Sequence, residues 1–140
     1  MEYRNLGRSG LRVSPVCLGT MTFGGPTDST TARRIVESAR RAGVNFIDTA
    51  DGYTGGESEK AVGRLLRRDR DRWVVATKVG NRGGPADFDA RLGRRWMMRA
   101  IDNSLDRLRM DHIDVWYLHK EDHGTPLEET VAAIGDIIAA

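Results

Sequence analysis

Apolar residues in this chain follow two alternating rhythms. Short continuous runs give way to longer stretches in which they recur every third or fourth position. The runs are Val16 to Gly19, Val44 to Ile47, Trp73 to Thr77 and Ile113 to Leu118. Such unbroken apolarity suits parallel strands covered on both faces, whereas a half-exposed strand alternates. The helical rhythm fills the gaps. Thr30 to Ala42 places Ile35, Val36, Ala39 and Ala42 on one face and mostly Arg33, Arg34, Glu37, Arg40 and Arg41 on the other, and Gly43 supplies a left-handed stop. Ser58 to Arg67 aligns Ala61, Val62, Leu65 and Leu66, and Arg94 to Leu108 aligns Met97, Ala100, Ile101, Ser104, Leu105 and Leu108. Thr125-Pro126-Leu127-Glu128 predicts a capping box opening a last helix, with Val131, Ile134, Ile137 and Ile138 roughly on one side. The longest irregular stretch is Gly80 to Phe88.

Ahead of the first run, Glu2 to Leu6, Gly7 to Gly10 and Leu11 to Val13 read as a hairpin. The order is therefore a hairpin (2–13) and four βα units (about 16–42, 44–67, 73–108 and 113–139), an α/β chain forming one domain over 1–140. It predicts a curved parallel sheet layered with helices. A flavodoxin-like doubly wound sheet shares this element order, but no glycine-rich turn directly joins the first strand to its helix. A complete eight-unit β/α barrel takes roughly 250 residues. At 140 residues, the expectation is a truncated barrel.

Composition narrows the class. With 30% charged and 39% hydrophobic residues, the chain has the mix of a soluble globular protein. The net charge of +2 gives little steering toward nucleic acid, and the basic run from Arg64 to Arg72 is broken by Asp69 and Asp71. Neither a signal-like segment nor an apolar stretch near the ~20 residues of a membrane span is evident, so no membrane partner and a cytoplasmic location are expected. Cys17 is alone, which excludes an intrachain disulfide, and its apolar setting predicts a small buried strand residue. No His, Cys or Asp spacing resembles a zinc site.

Candidate chemistry gathers at one end of the strands. Asp48 and Lys78 end the second and third runs, Tyr53 follows Asp48 in a short loop, and His119 follows the fourth run. Strand ends on a repeating βα scaffold are where barrel enzymes keep their reactive groups. A phenol is a weak proton donor at neutral pH unless its anion is favoured, which a neighbouring ammonium does. Asp48 would hold that ammonium, Tyr53 would protonate an oxygen gaining negative charge, and His119 would donate a second hydrogen bond to it. This arrangement suits carbonyl reduction, given a hydride source. A lone Asp48 or His119 is more often a cap or loop contact and a lone Tyr53 loop packing, whereas Lys78 ending an apolar run is costly to bury without a partner; their convergence carries the reading. His112 precedes its strand and His123 lies in a polar loop, so neither joins the set.

These motifs resemble the amino-terminal half of an aldo-keto reductase, from about Asn5 to Ala140. The likeness rests on Leu6 to Ser14, on Leu18-Gly19-Thr20-Met21-Thr22-Phe23-Gly24, and on Asn45 to Asp51 with Tyr53, Gly56-Glu57-Ser58-Glu59 and Gly63. It continues through Ala76-Thr77-Lys78, Ser104 to Leu108, Asp111, Ile113, Asp114 and Tyr117-Leu118-His119. The resemblance implies a (β/α)8 barrel for a full-length parent and reduction of aldehydes or ketones with NADPH, NADH being the alternative. It gives Asp48, Tyr53, Lys78 and His119 the catalytic positions, and puts Gly19, Thr20 and Met21 beside the cofactor with Asp48 and Tyr53. It also implies that the residues gripping the cofactor's phosphates belong to the second half of such a barrel.

A half-barrel has two free edges, its first and fourth strands, and an inner face with nothing opposite. The expectation is a homodimer or higher oligomer that buries Val16, Leu18, Val75 and Val115. Two functions stay open: a reductase of small carbonyl compounds with doubtful activity in this chain, or an inactive truncated reductase serving as a folding and self-association module.

Overall fold

The computed structural model describes residues 1–81 and 91–140. Of the irregular stretch expected from Gly80 to Phe88, only Gly80 and Asn81 fall among them. The opening hairpin pairs β1 (Arg4–Asn5) with β2 (Arg12–Val13) antiparallel. Four parallel strands follow in strict chain order, β3 (Cys17–Gly19), β4 (Phe46–Asp48), β5 (Val74–Val79) and β6 (Val115–Leu118). A doubly wound sheet would reverse its strand order at a switch point. This one does not, and β3 and β6 are its edges.

The helices are α1 (Ser29–Arg41), α2 (Glu57–Leu66), α3 (Arg94–Leu108) and α4 (Leu127–Ala139). Asp28, absent from the sequence reading, caps α1 by accepting from the Thr30 and Thr31 amides. Gly43 closes that helix at φ +85°, where a Cβ would be strained. No capping box opens α4. The Thr125 hydroxyl instead donates to Asp122 Oδ2 at 2.8 Å, and Pro126 precedes the helix without a side-chain cap. The buried face of α4 is also rotated from the expected one. Thr130 and Ala133 are buried and Ile134 and Ile137 pack beside them, while Val131 and Ile138 are exposed.

Register sorts the strand residues into two layers. Leu18, Ile47 and Val75 align across the sheet and face the helices, where Ile47 and Val75 pack with Val36, Val62, Leu66 and Leu108. Their neighbours Phe46, Val74 and Ala76 face the other way, onto Val13 of the hairpin and onto Leu6, Leu11 and Val115. The hairpin thus covers the inner face near the strands' amino-terminal ends and leaves the carboxy-terminal ends open. Because side chains alternate along a strand, Val75 cannot join the open-face interface expected of it. It is fully buried under the helices. Cys17 departs in the opposite direction: it lies on an edge strand and is exposed, not buried. Among the described residues, no helix is long and apolar enough to cross a membrane.

Helices α2 and α3 approach closely at Gly63. A Cβ there would lie 2.0 Å from the Leu108 carbonyl oxygen, so only glycine allows the contact. That contact seats α2, which follows directly from the turn carrying Tyr53.

Candidate active site

Asp48 closes β4, Lys78 is the penultimate residue of β5, and His119 follows β6. The backbone ladder continues past the strands: the His119 amide donates to the Val79 carbonyl at 2.7 Å, and the Thr49 amide to the Ala76 carbonyl at 2.9 Å. Three neighbouring strand ends are therefore held in register where their polar side chains emerge. Tyr53 opens a 3-10 turn, Tyr53–Gly56, that passes through left-handed backbone at Thr54, Gly55 and Gly56 before entering α2.

Lys78 is the hub. Its Nζ donates to Asp48 Oδ2 at 2.6 Å, to the Thr49 carbonyl at 2.8 Å and to the Tyr53 hydroxyl at 3.1 Å. An ammonium has three hydrogens, and these partners use all of them. Tyr53 Oη is then an acceptor toward Lys78, and its own hydrogen is not spent on that contact. The ammonium also lies 4.7 Å from the Tyr53 ring centroid. Lys78 and Asp48 are mostly buried, with 14% and 24% of their side chains exposed, so their charges are less screened than those of a surface pair.

His119 meets Tyr53 edge to face, with ring centroids 5.8 Å apart. Desolvation holds its imidazole below the ordinary 6.5, the Lys78 charge adds to that shift, and Asp48 opposes it. At neutral pH the ring is therefore an uncharged donor and acceptor. Its Nδ1 is buried without a hydrogen-bond partner.

The structure thus brings together the four side chains named from the sequence. Gly19 lies on the open side of edge strand β3, with no atom within 4 Å of where its Cβ would stand, and Met21 is exposed. Thr20 is buried, its hydroxyl donating to the Asp48 carbonyl at 2.9 Å. His112 pairs with Asp111 away from this group. Among the described residues, no cluster of His, Cys, Asp or Glu could hold a metal ion.

Sequence reasoning placed Thr49, Ser58 and Glu59 in matching motifs but assigned no supporting role to the Thr49 carbonyl or to Ser58 and Glu59, both fully buried. Glu59 Oε1 accepts from the Thr77 hydroxyl and Oε2 from Arg107 Nε, each at 2.6 Å. A signal existed, because Glu59 stands three and seven residues before Val62 and Leu66 on the buried stripe of α2.

Residues 15–140 match the model of the aldo/keto reductase family. The chain is 41% identical over 142 residues to a probable voltage-gated potassium channel subunit beta of Arabidopsis thaliana, covering 99% of this chain and 43% of that protein. The corresponding protein of Oryza sativa subsp. japonica is 42% identical, with the same coverage of both chains. Among solved structures, an aldo-keto reductase from Bacillus halodurans in its holo form superposes with a TM-score of 0.88 at 37% identity, covering 99% of this chain and 47% of that one. The chain thus spans less than half the length of these relatives, and its hairpin and four βα units form a partial α/β barrel.

Proposed function

The chain belongs to the aldo/keto reductase family, and on that footing we propose that it carries the proton-donating side of a carbonyl reductase site, reducing an aldehyde or ketone to an alcohol. The observation that carries this reading is the Lys78 ammonium, bonded to Asp48, to the Thr49 carbonyl and to Tyr53 Oη. With all three lysine hydrogens engaged, the Tyr53 hydroxyl hydrogen is the one left to give.

In this reading the substrate oxygen accepts that hydrogen from Tyr53, and the adjacent ammonium stabilises the phenolate left behind. Asp48 keeps the ammonium in place. Neutral His119 directs a second hydrogen bond at the same oxygen and so orients the carbonyl. NADPH, or NADH, when bound supplies the hydride that the carbonyl carbon receives. Gly19, Thr20 and Met21, with Asp48 and Tyr53, would hold its nicotinamide end. The open space above Gly19 suits a flat ring, and Thr20 would contribute through its backbone, since its hydroxyl is engaged. The substrate class is a small carbonyl compound and the expected compartment is the cytoplasm.

A second reading is favoured by one observation: apolar side chains stand exposed at the open edges, including Val16 (55%), Tyr117 (39%) and Leu118 (40%). Two relatives are named as subunits of a larger assembly. In this reading the chain is a self-association module, a homodimer or higher oligomer joined through β3 and β6, and turns over nothing. Calorimetric titration with NADPH, with sedimentation of the same sample, separates the two. Saturable binding supports the reductase reading. Association without binding supports the module.

A further inference from the structure

Three threonines flank the candidate active site, and each reports to one end of α2. Thr20 follows β3, Thr49 follows Asp48, and Thr77 precedes Lys78. All three are buried, as are the two α2 residues they meet, Ser58 and Glu59. Four contacts tie the Thr20, Thr49 and Ser58 hydroxyls together and to backbone carbonyls, and three hydrogens serve them, which leaves the 3.0 Å approach of Thr20 Oγ1 to Ser58 Oγ without one. Ser58 Oγ donates to the Thr20 carbonyl at 2.7 Å, and Thr20 Oγ1 donates to the Asp48 carbonyl at 2.9 Å. Thr49 Oγ1 is then left to donate to Ser58 Oγ at 2.8 Å. Glu59 accepts from Thr77 Oγ1 at 2.6 Å, so this helix residue grips β5 immediately beside Lys78.

From these contacts we infer that Ser58 and Glu59 are positioning residues: a two-residue latch that sets Tyr53 against Asp48 and Lys78. The helix whose first turn they occupy continues from the turn that carries Tyr53, so fixing that first turn to three strand ends fixes the phenol over the ammonium. The inference rests on the reductase reading for its functional meaning, though not for its geometry.

Arg107 completes the latch from α3. Its Nε reaches the second Glu59 oxygen, and its Nη2 donates to Ser104 Oγ at 3.2 Å. It reaches Glu59 by crossing Gly56, where a Cβ would lie 2.8 Å from Arg107 Cδ and where φ is +94°. A buried carboxylate lacking such a partner would be costly. Glycine at 56, arginine at 107, glutamate at 59 and threonine at 77 therefore act as one unit. Its output is the placement of Lys78 and Tyr53.

The test reads Lys78 directly, without cofactor or carbonyl. The chain has three lysines, Lys60, Lys78 and Lys120. Trace acylation followed by peptide mass spectrometry gives the rate at Lys78 relative to the other two. Thr77→Val removes the hydroxyl at nearly constant volume, and Thr77→Ser restores it. With the loss of one buried hydrogen bond, Lys78 labelling is expected to rise roughly fivefold in Thr77→Val. It should rise similarly in Glu59→Gln and return to the wild-type value in Thr77→Ser. Folded Thr77→Val and Glu59→Gln proteins with unchanged Lys78 labelling would overturn the latch. If Thr77→Val does not fold, Glu59→Gln decides alone; if neither folds, the residues are purely structural and the inference falls. A wild-type chain with protected Lys78 that binds no NADPH would end the reductase reading and leave the latch standing.

Discussion

Lys78 and Asp48 meet at 2.6 Å across adjacent parallel strands, their charges largely withdrawn from water. Removing one member of such a pair leaves the other charged and poorly solvated. Asp48→Ala is therefore expected to cost roughly 3 kcal/mol of folding stability, read from urea denaturation. A loss no larger than that of an exposed pair such as Lys60–Glu57 would contradict the burial assigned here.

At Gly63 the constraint is steric. A methyl group 2.0 Å from the Leu108 carbonyl has backbone, not a flexible side chain, to displace. Gly63→Ala should separate α2 from α3 and destabilise the protein by about 3 kcal/mol or more, despite the helix preference for alanine. A stabilised Gly63→Ala variant would show that the helices do not meet as described.

His119 gives stability a pH dependence of definite sign. Its imidazole titrates below the ordinary 6.5 in the folded protein, through desolvation first and the Lys78 charge second. Above 6.5 it is neutral in both folded and unfolded chains and its contribution is complete. As pH falls from 6.5 toward the folded value, the unfolded chain takes up the proton first and stability declines. Denaturation midpoints measured down this range should fall in the wild type and fall less in His119→Gln. Equal slopes would assign the effect elsewhere.

Cys17 is exposed yet should react slowly. Partial desolvation, and then the Asp48 carboxylate, push its thiol up to about 11, with Lys78 opposing. Two units above the ordinary 9.0 correspond to roughly a hundredfold less thiolate at mildly alkaline pH. Iodoacetamide should accordingly alkylate native Cys17 far more slowly than the denatured chain. Equal rates would contradict the environment described.

Much of this fold was legible in the sequence because parallel strands and amphipathic helices write different periods. The four polar residues were legible because each sits where an apolar run ends or in the loop beyond. What the sequence concealed was facing. A continuous apolar run does not say which side meets helices, so Val75 was assigned to an open surface while it packs beside Ile47 in the helix-side core. Cys17 was misjudged because β3 is an edge strand, where apolar neighbours in sequence do not guarantee cover. In α4 the pattern of isoleucines suggested one face, but packing against α3 buries the smaller Thr130 and Ala133. Thr125 fitted a capping box by spacing, and the nearer Asp122 carboxylate took its hydroxyl. Glu59 stood in a matching motif without a role, because a charge on a buried helix stripe has meaning only once its partners, Thr77 and Arg107, are placed around it.

The most direct measurement of the central claim is the rate of aldehyde-dependent NADPH oxidation by the wild-type chain and by Tyr53→Phe, each at the same concentration and oligomeric state. A proton-donating Tyr53 predicts measurable turnover in the wild type and a loss on the order of a hundredfold or more in the variant. Equal rates in the two proteins, or no turnover by a wild-type chain that binds NADPH, would contradict it.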